Sequence, residues 1–470
     1  MSMNPKHAHR ICSTTPPPSA RKPKLNLSTH QIDQLLQPLE KFHKIFTSLF
    51  QRKEQRHWSR QYIHGQMLKL ERKSIESMAS NLEGGNVQAM QQFISDSPWD
   101  DTAVIHVHQQ EVAKTLGHKD GALIVDGCDF PKQGHNSVGV ASQHCGALGK
   151  TANCQASVVL VYASDKGHTL VDRRLFMPER WFSPEYADLR KECGVPEDLT
   201  PQTKNVLGWS MLAPLLDKEI LPFQWILGDE AFGRDTKLLN KIANKGKYYF
   251  VEIPCNTLIW QPRAPHEYVS KRVDKLAATL DARHWRRVIV HEGTKGPIIA
   301  EIAVLREVFS EQALPAREEW LVVRRQSKTQ PLSKWKFYRC NAPKQTSHDK
   351  LAELTAWRWP IESAIEECKT ELGMDHYEVR SWRGWHHHMT MTMLSHHFLV
   401  RTRVELGEDA PALTVSQVRL LLDIVLPKRE FNAETILQEL QRTQQQNYAA
   451  YRSHRKRRLK QKIGQSNLKL

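Results

Sequence analysis

Hydrophobic positions recur at helical spacing from about His30 to Asn81. Ile32, Leu35, Leu36, Leu39, Phe42, Ile45, Phe46 and Leu49 form one apolar stripe. Ser28 or Thr29 can cap its start. The stretch "NLEGGN" breaks the pattern at Gly84–Gly85, and two shorter helices follow at Val87–Ser95 and Asp101–Leu116. The N-terminal region therefore reads as all-helical. Within it "QRKEQRHWSRQY" sets cations along one helix, which suits a helical bundle or, more sharply, a DNA-binding module.

The texture changes at "GHKDGALIVDG". Ala122–Val125 is a short apolar run, the pattern of a buried strand. "NSVGVASQHCG" and "ANCQASVVLVYAS" add two more strands, so Leu123 to Ala163 reads as a three-strand meander. A helix over "TPQTKNVLGWSMLAPLLDKEI" precedes a strand in "PFQWILGDEAFGRD" that ends at Gly228–Asp229. "TKLLNKIANKG" is helical and "KYYFVEI" is a strand, giving the order βββαβαβ. From Cys255 to about Pro343 the pattern is β and loop, with strands in "RRVIVHEG", "IIAEIAVLREV", "EEWLVVRRQ" and "WKFYRC". This block reads as a β-rich insertion. Helical patterning returns at Trp357 and continues through "WHHHMTMTMLSHHFLVRTRVEL" and "VSQVRLLLDIVL".

The first of these late helices carries charge in an unusual place. Pro360 suits its first position and Gly373 its stop. Ile361, Ala364, Ile365, Cys368 and Leu372 make the buried stripe. At about 100° per residue, Glu362 and Lys369 lie about 20° apart, roughly a quarter turn from the stripe's centre. Arg358, ahead of the proline, is read as extended. Alone, the segment reads as surface charge on an amphipathic helix.

A chain of 470 residues should hold two or three domains with ample core. Its net charge of +16, with the run "RSHRKRRLK" from Arg452 to Lys460, suits a polyanionic partner, nucleic acid above all. The eight cysteines form no CxxC pair and read as reduced thiols of a cytosolic protein. No apolar run reaches the length of a membrane span. The N-terminal "MSMNPKHAHRICSTTPPPSARKPK" reads as a disordered basic arm.

Against this background two aspartates stand out. Asp126 follows the run Ala122–Val125, and Asp229 follows Trp225–Gly228, each at the carboxyl end of a core strand. One such aspartate is usually a turn former. Two, with Glu362 on the rim of a later helix, would repel one another without a cation. Carboxylate donors of this kind suit Mg²⁺, with Mn²⁺ as a substitute. Two such ions can serve phosphodiester displacement. Arg358 and Lys369 would flank the carboxylates and hold phosphates. Lys132 in "FPKQG" is a further DNA-contact candidate. So are Arg380 and Arg383, which stand beside Trp382 and Trp385 in a basic-aromatic cluster. Glu366, Glu367 and Glu230 are weaker carboxylate candidates by helix geometry or position. His386, His387, His388, His396 and His397 raise a zinc site, but with no cysteine pair they read first as packed or phosphate-touching histidines. No Walker-type glycine loop is present, so no ATP use is implied.

Three segments carry a family resemblance: "LIVDGCDFPKQGHNSVGVASQHCGALGKTANCQASVVLVYAS", "LGDEAFGRD" and "RWPIESAIEECKTELGMDHYEVRSWRGWHHH". With the N-terminal stretch "RKEQRHWSRQYIHGQMLKLERKSIESMASNLEGGNVQAMQQFISDSPWDD" they resemble the IS701 family of transposases, related to the larger IS4 group. The resemblance implies an RNase H-like DDE core: an α/β fold with a β-rich insertion and an all-helical N-terminal domain. It implies the layout 1–27 basic arm, 28–118 helical DNA-binding domain, 119–254 first part of the core and 255–345 insertion. The second part of the core, with the glutamate helix, would be 346–405, followed by C-terminal helices at 406–450 and a basic tail at 451–470. It implies Asp126, Asp229 and Glu362 as metal-binding catalytic carboxylates for two Mg²⁺ ions. Arg358, Glu362 and Lys369 match the spacing of the group's tyrosine–arginine–glutamate–lysine signature, but Thr355 stands at the tyrosine position. The first motif reads Asp126-Gly127-Cys128-Asp129-Phe130-Pro131 where relatives commonly have Asp-Asp-Thr-Gly-Phe-Pro, so Asp129 is the rival to Asp126. The implied activity is cut-and-paste DNA transposition by a nucleoid-associated bacterial cytoplasmic protein. Its partners would be terminal inverted repeats, target DNA and a second copy in the synaptic complex. An RNase H-like nuclease without strand transfer and a non-catalytic DNA-binding derivative are the alternatives.

Overall fold

The computed structural model describes residues 9–10, 21–264, 267–293, 295–312 and 314–466. Six helices come first: α1 (Thr29–Asp33), α2 (Leu36–Phe46), α3 (Lys53–Met67), α4 (Ile75–Asn81), α5 (Val87–Ser95) and α6 (Asp101–Leu116). The two-residue β1 (His9–Arg10) precedes them. Four strands follow: β2 (Ala122–Pro131), β3 (Ala141–Cys145), β4 (Lys150–Ser164) and β5 (Gly167–Phe176). Then come α7 (Ala187–Glu192), α8 (Lys204–Lys218), β6 (Trp225–Gly228), α9 (Glu230–Gly233), α10 (Thr236–Asn244) and β7 (Tyr248–Ile253). The next block holds β8 (Leu258–Ala264), β9 (Glu267–Arg272), α11 (Val273–Ala278), β10 (Arg286–Gly293), β11 (Gly296–Glu311), β12 (Leu314–Arg325) and β13 (Lys336–Cys340). The chain closes with α12 (His348–Leu354), α13 (Trp359–Leu372), α14 (Trp382–Glu405), α15 (Val415–Val425) and α16 (Ala433–Ser466).

One mixed sheet runs through these strands in the order β1-β10-β11-β12-β13-β7-β6-β2-β4-β3. β5 pairs with β4, and the β8–β9 hairpin joins at β11. β2 is central, antiparallel to β4 and parallel to β6, which is parallel to β7. The apolar runs of β2 and β6 are wholly buried, as strands covered on both faces must be. α8 packs on β4 and β5, while α13, α14 and α6 also pack on this part of the sheet. Alternation along β2 separates two faces: Cys128 and Phe130 meet α13 residues Cys368 and Lys369, and Gly127 meets Lys204 of α8. This mixed α/β arrangement of a large sheet with helices is compatible with an RNase H-like nuclease fold.

Several elements differ from the sequence reading. β2 continues to Pro131 on its antiparallel pairing with β4, so Asp126 lies within the strand instead of after it. The meander has four strands, and Gly167–Phe176 is not among those the pattern predicts. Its sequence hides it, because Asp172 and Arg173 are buried in an ion-pair network with Asp101 and Thr390. β8, β9 and α11 are likewise absent from the predicted elements. The insertion does not form a separate layer: β13 pairs antiparallel with β7, so its strands extend the core sheet. Arg358 is helical (φ −77°, ψ −22°) and not extended, since the restriction before Pro360 falls on Trp359. The basic run from Arg452 lies on the second half of α16. The basic arm read over residues 1–27 falls mostly outside the described residues. Its described end lies along the loop before α15: Asn26 N–H donates to the Asp409 carbonyl (3.0 Å) and Arg21 Nη1 to that of Pro411 (2.7 Å).

The N-terminal helices do not stand apart. α14 is buried along most of its length and touches α3, α5, α6, α13, α15 and β5. Most of its buried polar side chains have partners. Tyr62 Oη meets His388 Nδ1 at 2.7 Å, Gln66 Nε2 donates to Thr392 Oγ1 at 2.8 Å, and His396 Nδ1 meets Thr169 Oγ1 at 2.9 Å. His387 bonds the carbonyls of Ile94 and Trp99, and His397 meets Thr115. Burial holds the pKa of His386, His387 and His388 well below the usual imidazole range, so these rings are neutral core groups.

Tight packing fixes the short helix after β6. A Cβ on Gly233 would lie 1.9 Å from the Glu252 carbonyl oxygen of β7, so only glycine fits. Gly233→Ala is expected to destabilise the fold by about 3 kcal/mol, read as a lower midpoint in denaturant with an unchanged slope.

Candidate active site

The last rung of the parallel β2–β6 ladder pairs Val125 with Gly228. Asp126 and Asp229 each stand one residue past that rung, on strands about 4.8 Å apart. Asp229 ends β6 and caps α9, its Oδ1 accepting from the N–H groups of Ala231 (2.9 Å) and Phe232 (3.3 Å). Asp126 is only 17% exposed. Its Oδ1 accepts from Gly127 N–H at 2.8 Å.

α13 brings the third carboxylate. Arg358, at its N-terminus, bridges two of them: Nη1 donates to Asp126 Oδ2 at 2.9 Å and Nη2 to Glu362 Oε1 at 2.7 Å. The i,i+4 spacing of Arg358 and Glu362 allows this fork. Burial raises the Asp126 pKa to about 6, with repulsion from Asp229 and Glu362 adding to it and Arg358 opposing it. Burial also works against the Arg358 charge. Asp126, Glu362, Glu252 and Asp229 together overcome that and hold the guanidinium more firmly protonated than usual.

The other sequence candidates fall into distinct places. Lys369 Nζ donates to the Asp129 carbonyl at 3.1 Å and lies 5.3 Å from the Phe130 ring centroid, so it borders the same strand. Asp129 turns the other way, its Oδ2 accepting from Gly146 N–H at 2.6 Å. Lys132 lies 3.5 Å over the Tyr377 ring and donates to the Tyr377 carbonyl, and burial lowers its pKa to about 8. Arg380 and Arg383 are exposed before and at the start of α14, and Arg383 Nη1 donates to the Asp96 carbonyl at 2.8 Å. Trp385 is a core residue, while Trp382 is half-buried against His386. Glu367 faces away from Glu362 and bonds His396 at 2.9 Å. Glu230 pairs with Arg234, and Glu366 is exposed. Thr355 is buried and its hydroxyl donates to the Ala352 carbonyl.

Sequence reading missed the groups that the insertion contributes. A cleft of about 320 Å³ adjoins Glu362 and Arg358, lined also by Arg324, Arg325, Lys336 and the half-exposed Trp359. Glu252 at its floor pairs with Lys336. The only hint is the charge at the end of "EEWLVVRRQ". Lys204 was missed too; its Nζ stands 3.7 Å from where a Cβ on Gly127 would sit.

An anionic, all-oxygen donor set whose members repel one another fits a hard divalent cation. As they stand, no three His, Cys, Asp or Glu side chains among the described residues are grouped to hold a metal. The Arg358 guanidinium lies between Asp126 and Glu362.

The family model for the DDE superfamily endonuclease matches residues 45–297, more than half of the chain. The chain belongs to the DDE superfamily. A transposase DDE domain model matches residues 202–398, which take in Asp229, Arg358, Glu362 and Lys369. These matches make the chain a DDE transposase-type nuclease, a nucleic-acid-cleaving enzyme with DNA as partner, of a superfamily that typically uses divalent metal ions. No curated protein matched the chain. Among solved structures, the NurA nuclease from Sulfolobus solfataricus aligns at 10% identity and a TM-score of 0.27. That alignment covers 59% of this chain and 87% of the nuclease, and so loose a likeness has no bearing on fold or activity.

The raised Asp126 pKa has a sign that stability measurements can read. A carboxyl easier to protonate in the folded chain than in the unfolded one stabilises the fold below its ordinary value of 3.8. That contribution is lost as pH rises through about 6. Asp126→Asn mimics the protonated form. It is expected to be more stable than wild type above pH ~6, by up to about 3 kcal/mol, with the difference vanishing below pH ~4. Denaturant unfolding across pH 4–8 checks this.

Proposed function

We propose that this chain is the transposase of an insertion sequence, of the IS701 type within the IS4-related group. It binds the element's terminal inverted repeats, cleaves DNA at each end and joins the freed 3′-hydroxyls to target DNA. The observation that carries this reading is the pair Asp126 and Asp229 past one rung of the sheet, with Glu362 tied to Asp126 through Arg358. The strand order β5-β4-β2-β6-β7, with β4 alone antiparallel, supports an RNase H-like core.

Asp126, Asp229 and Glu362 would hold two Mg²⁺ ions, with Mn²⁺ as substitute. When bound, such ions supply activation of a water or hydroxyl and charge stabilisation on the leaving oxygen. The chain's own residues do the rest. Asp126 would hold a metal as its carboxylate, and its raised pKa makes that form pH-dependent. Arg358 releases at least one carboxylate and turns its fork to a phosphate oxygen. Lys369, beside the first strand, holds the backbone as a point charge. Arg380 and Arg383, both exposed, would hold flanking DNA. Lys132 is committed to Tyr377 and serves DNA only indirectly, by fixing that loop. The groove of about 490 Å³ between α2 and α3, lined by Lys41, Lys44, Lys53, Arg56 and His57, supports a DNA-binding role for the N-terminal helices. Joining two ends calls for two copies in the synaptic complex. Among the described residues no helix is long and apolar enough to cross a membrane. The proposed working place is the bacterial nucleoid.

A nuclease that cuts without joining is the second reading, favoured by the endonuclease character of the longer family match. Purified protein with DNA carrying the element's ends should cleave with Mg²⁺ or Mn²⁺ and stop on chelation. Asp126→Asn, Asp229→Asn and Glu362→Gln should each lower cleavage at least ~10²-fold; wild-type rates in any of them would remove that residue from the site. Pre-cut ends mixed with a target plasmid separate the two readings. Joined products mark a transposase, and cleavage without joining marks a nuclease.

A further inference from the structure

The last helix carries a surface that the catalytic site does not use. α16 spans Ala433–Ser466. Its first turns are anchored: Arg442 Nη2 reaches Ser80 Oγ at 3.3 Å and Glu76 at 3.7 Å. From Thr443 to Leu459 every described residue is exposed. No Asp or Glu occurs among residues 440–470, while Arg452, Arg455, Lys456, Arg457 and Arg458 crowd two turns. Cations at i,i+3 and i,i+4, such as Arg452 with Arg455 and Lys456, repel by about 0.2–0.5 kcal/mol each. Neither a packed face nor an internal carboxylate offsets that repulsion.

We propose that the second half of α16 binds the phosphate backbone of duplex DNA. At about 100° per residue, Tyr448, Tyr451, Arg452, Arg455 and Arg458 fall within about 120° of one another. They make one basic-aromatic face, with the two tyrosine rings 6.5 Å apart. Lys456 flanks this face about 40° beyond Arg452, and Arg457 points to the opposite side. A helix charged around its circumference suits a groove whose walls carry phosphate on both sides, and the major groove of B-DNA is wide enough for it. The charge selects this occupant over a second copy of the chain. Pairing two such helices side by side would bring two uncompensated arginine clusters together. The proposal rests on DNA as the partner and not on strand transfer.

The test uses the full chain carrying Arg452→Gln, Arg455→Gln, Arg457→Gln and Arg458→Gln together. Because these side chains are exposed, the thermal midpoint should stay at the wild-type value. Binding to duplexes of two unrelated sequences is measured against salt without divalent metal, so cleavage plays no part. The slope of log K against log salt should become shallower by about 0.9 for each phosphate no longer neutralised, roughly 2 to 4 in all, equally for both sequences. DNA should slow amide exchange across residues 447–459 of wild type and not of the variant. An unchanged slope overturns the proposal. So does a weakening confined to one sequence, which would make the helix a base reader. A change of oligomeric state at unchanged slope, read by light scattering, would assign the helix to a second copy. Failure of strand transfer alone leaves the binding result untouched.

Discussion

The site depends on one guanidinium held between two carboxylates. Without Arg358, Asp126 and Glu362 would lose the one cation that bonds them both at the end of a buried ladder. Burial and the two neighbouring carboxylates raise the Asp126 pKa, and it stands at about 6 even with Arg358 opposing them. The bridge lets the fold form with this charge in place. It also leaves the cluster incomplete as a metal site, because the cation that neutralises it is part of the chain. Under the proposed function an active state would trade one positive charge for another, so stability and activity would make opposite demands on the same three side chains.

The rest of the fold holds that trade in register. Arg358 ties Glu362 to Asp126 because α13 lies across β2, β4 and β5. α13 is itself seated against α14, whose core of histidines, threonines and methionines is wrapped by the N-terminal helices. Polar groups in a helix buried this completely need partners, and several find them on elements from distant parts of the sequence. The two ends of the chain are thereby fastened together behind the site.

Much of the site was legible because its signals are local. An aspartate after a short apolar run shows in a few residues, and so does an arginine four positions before a glutamate. The parallel core strands were equally plain, since full burial writes a continuous apolar run. Elements whose stability comes from tertiary partners were not. Gly167–Phe176 carries Asp172, Arg173 and Arg174, and only the buried network around Arg173 makes it a strand. The reach of β2 past Asp126 is set by β4, which no local pattern reports. Glu252, Arg324 and Lys336 gather beside Glu362 from separate strands of a segment whose pattern says only that it is β-rich. The histidine run could be read either as a ligand set or as packing, and its hydrogen bonds to Ile94, Trp99, Tyr62 and Thr169 make it packing.

The pairing of Phe337 with Ile253 and of Cys340 with Phe250 stitches the insertion to the strand beside the β2–β6 ladder by main-chain hydrogen bonds. Such a seam has no hinge. The basic cleft next to Glu362 is therefore not a jaw that swings shut on its substrate, because opening it would mean unzipping a sheet. A nucleic acid lying in that cleft would meet a rigid wall, and the work of deformation would fall on it.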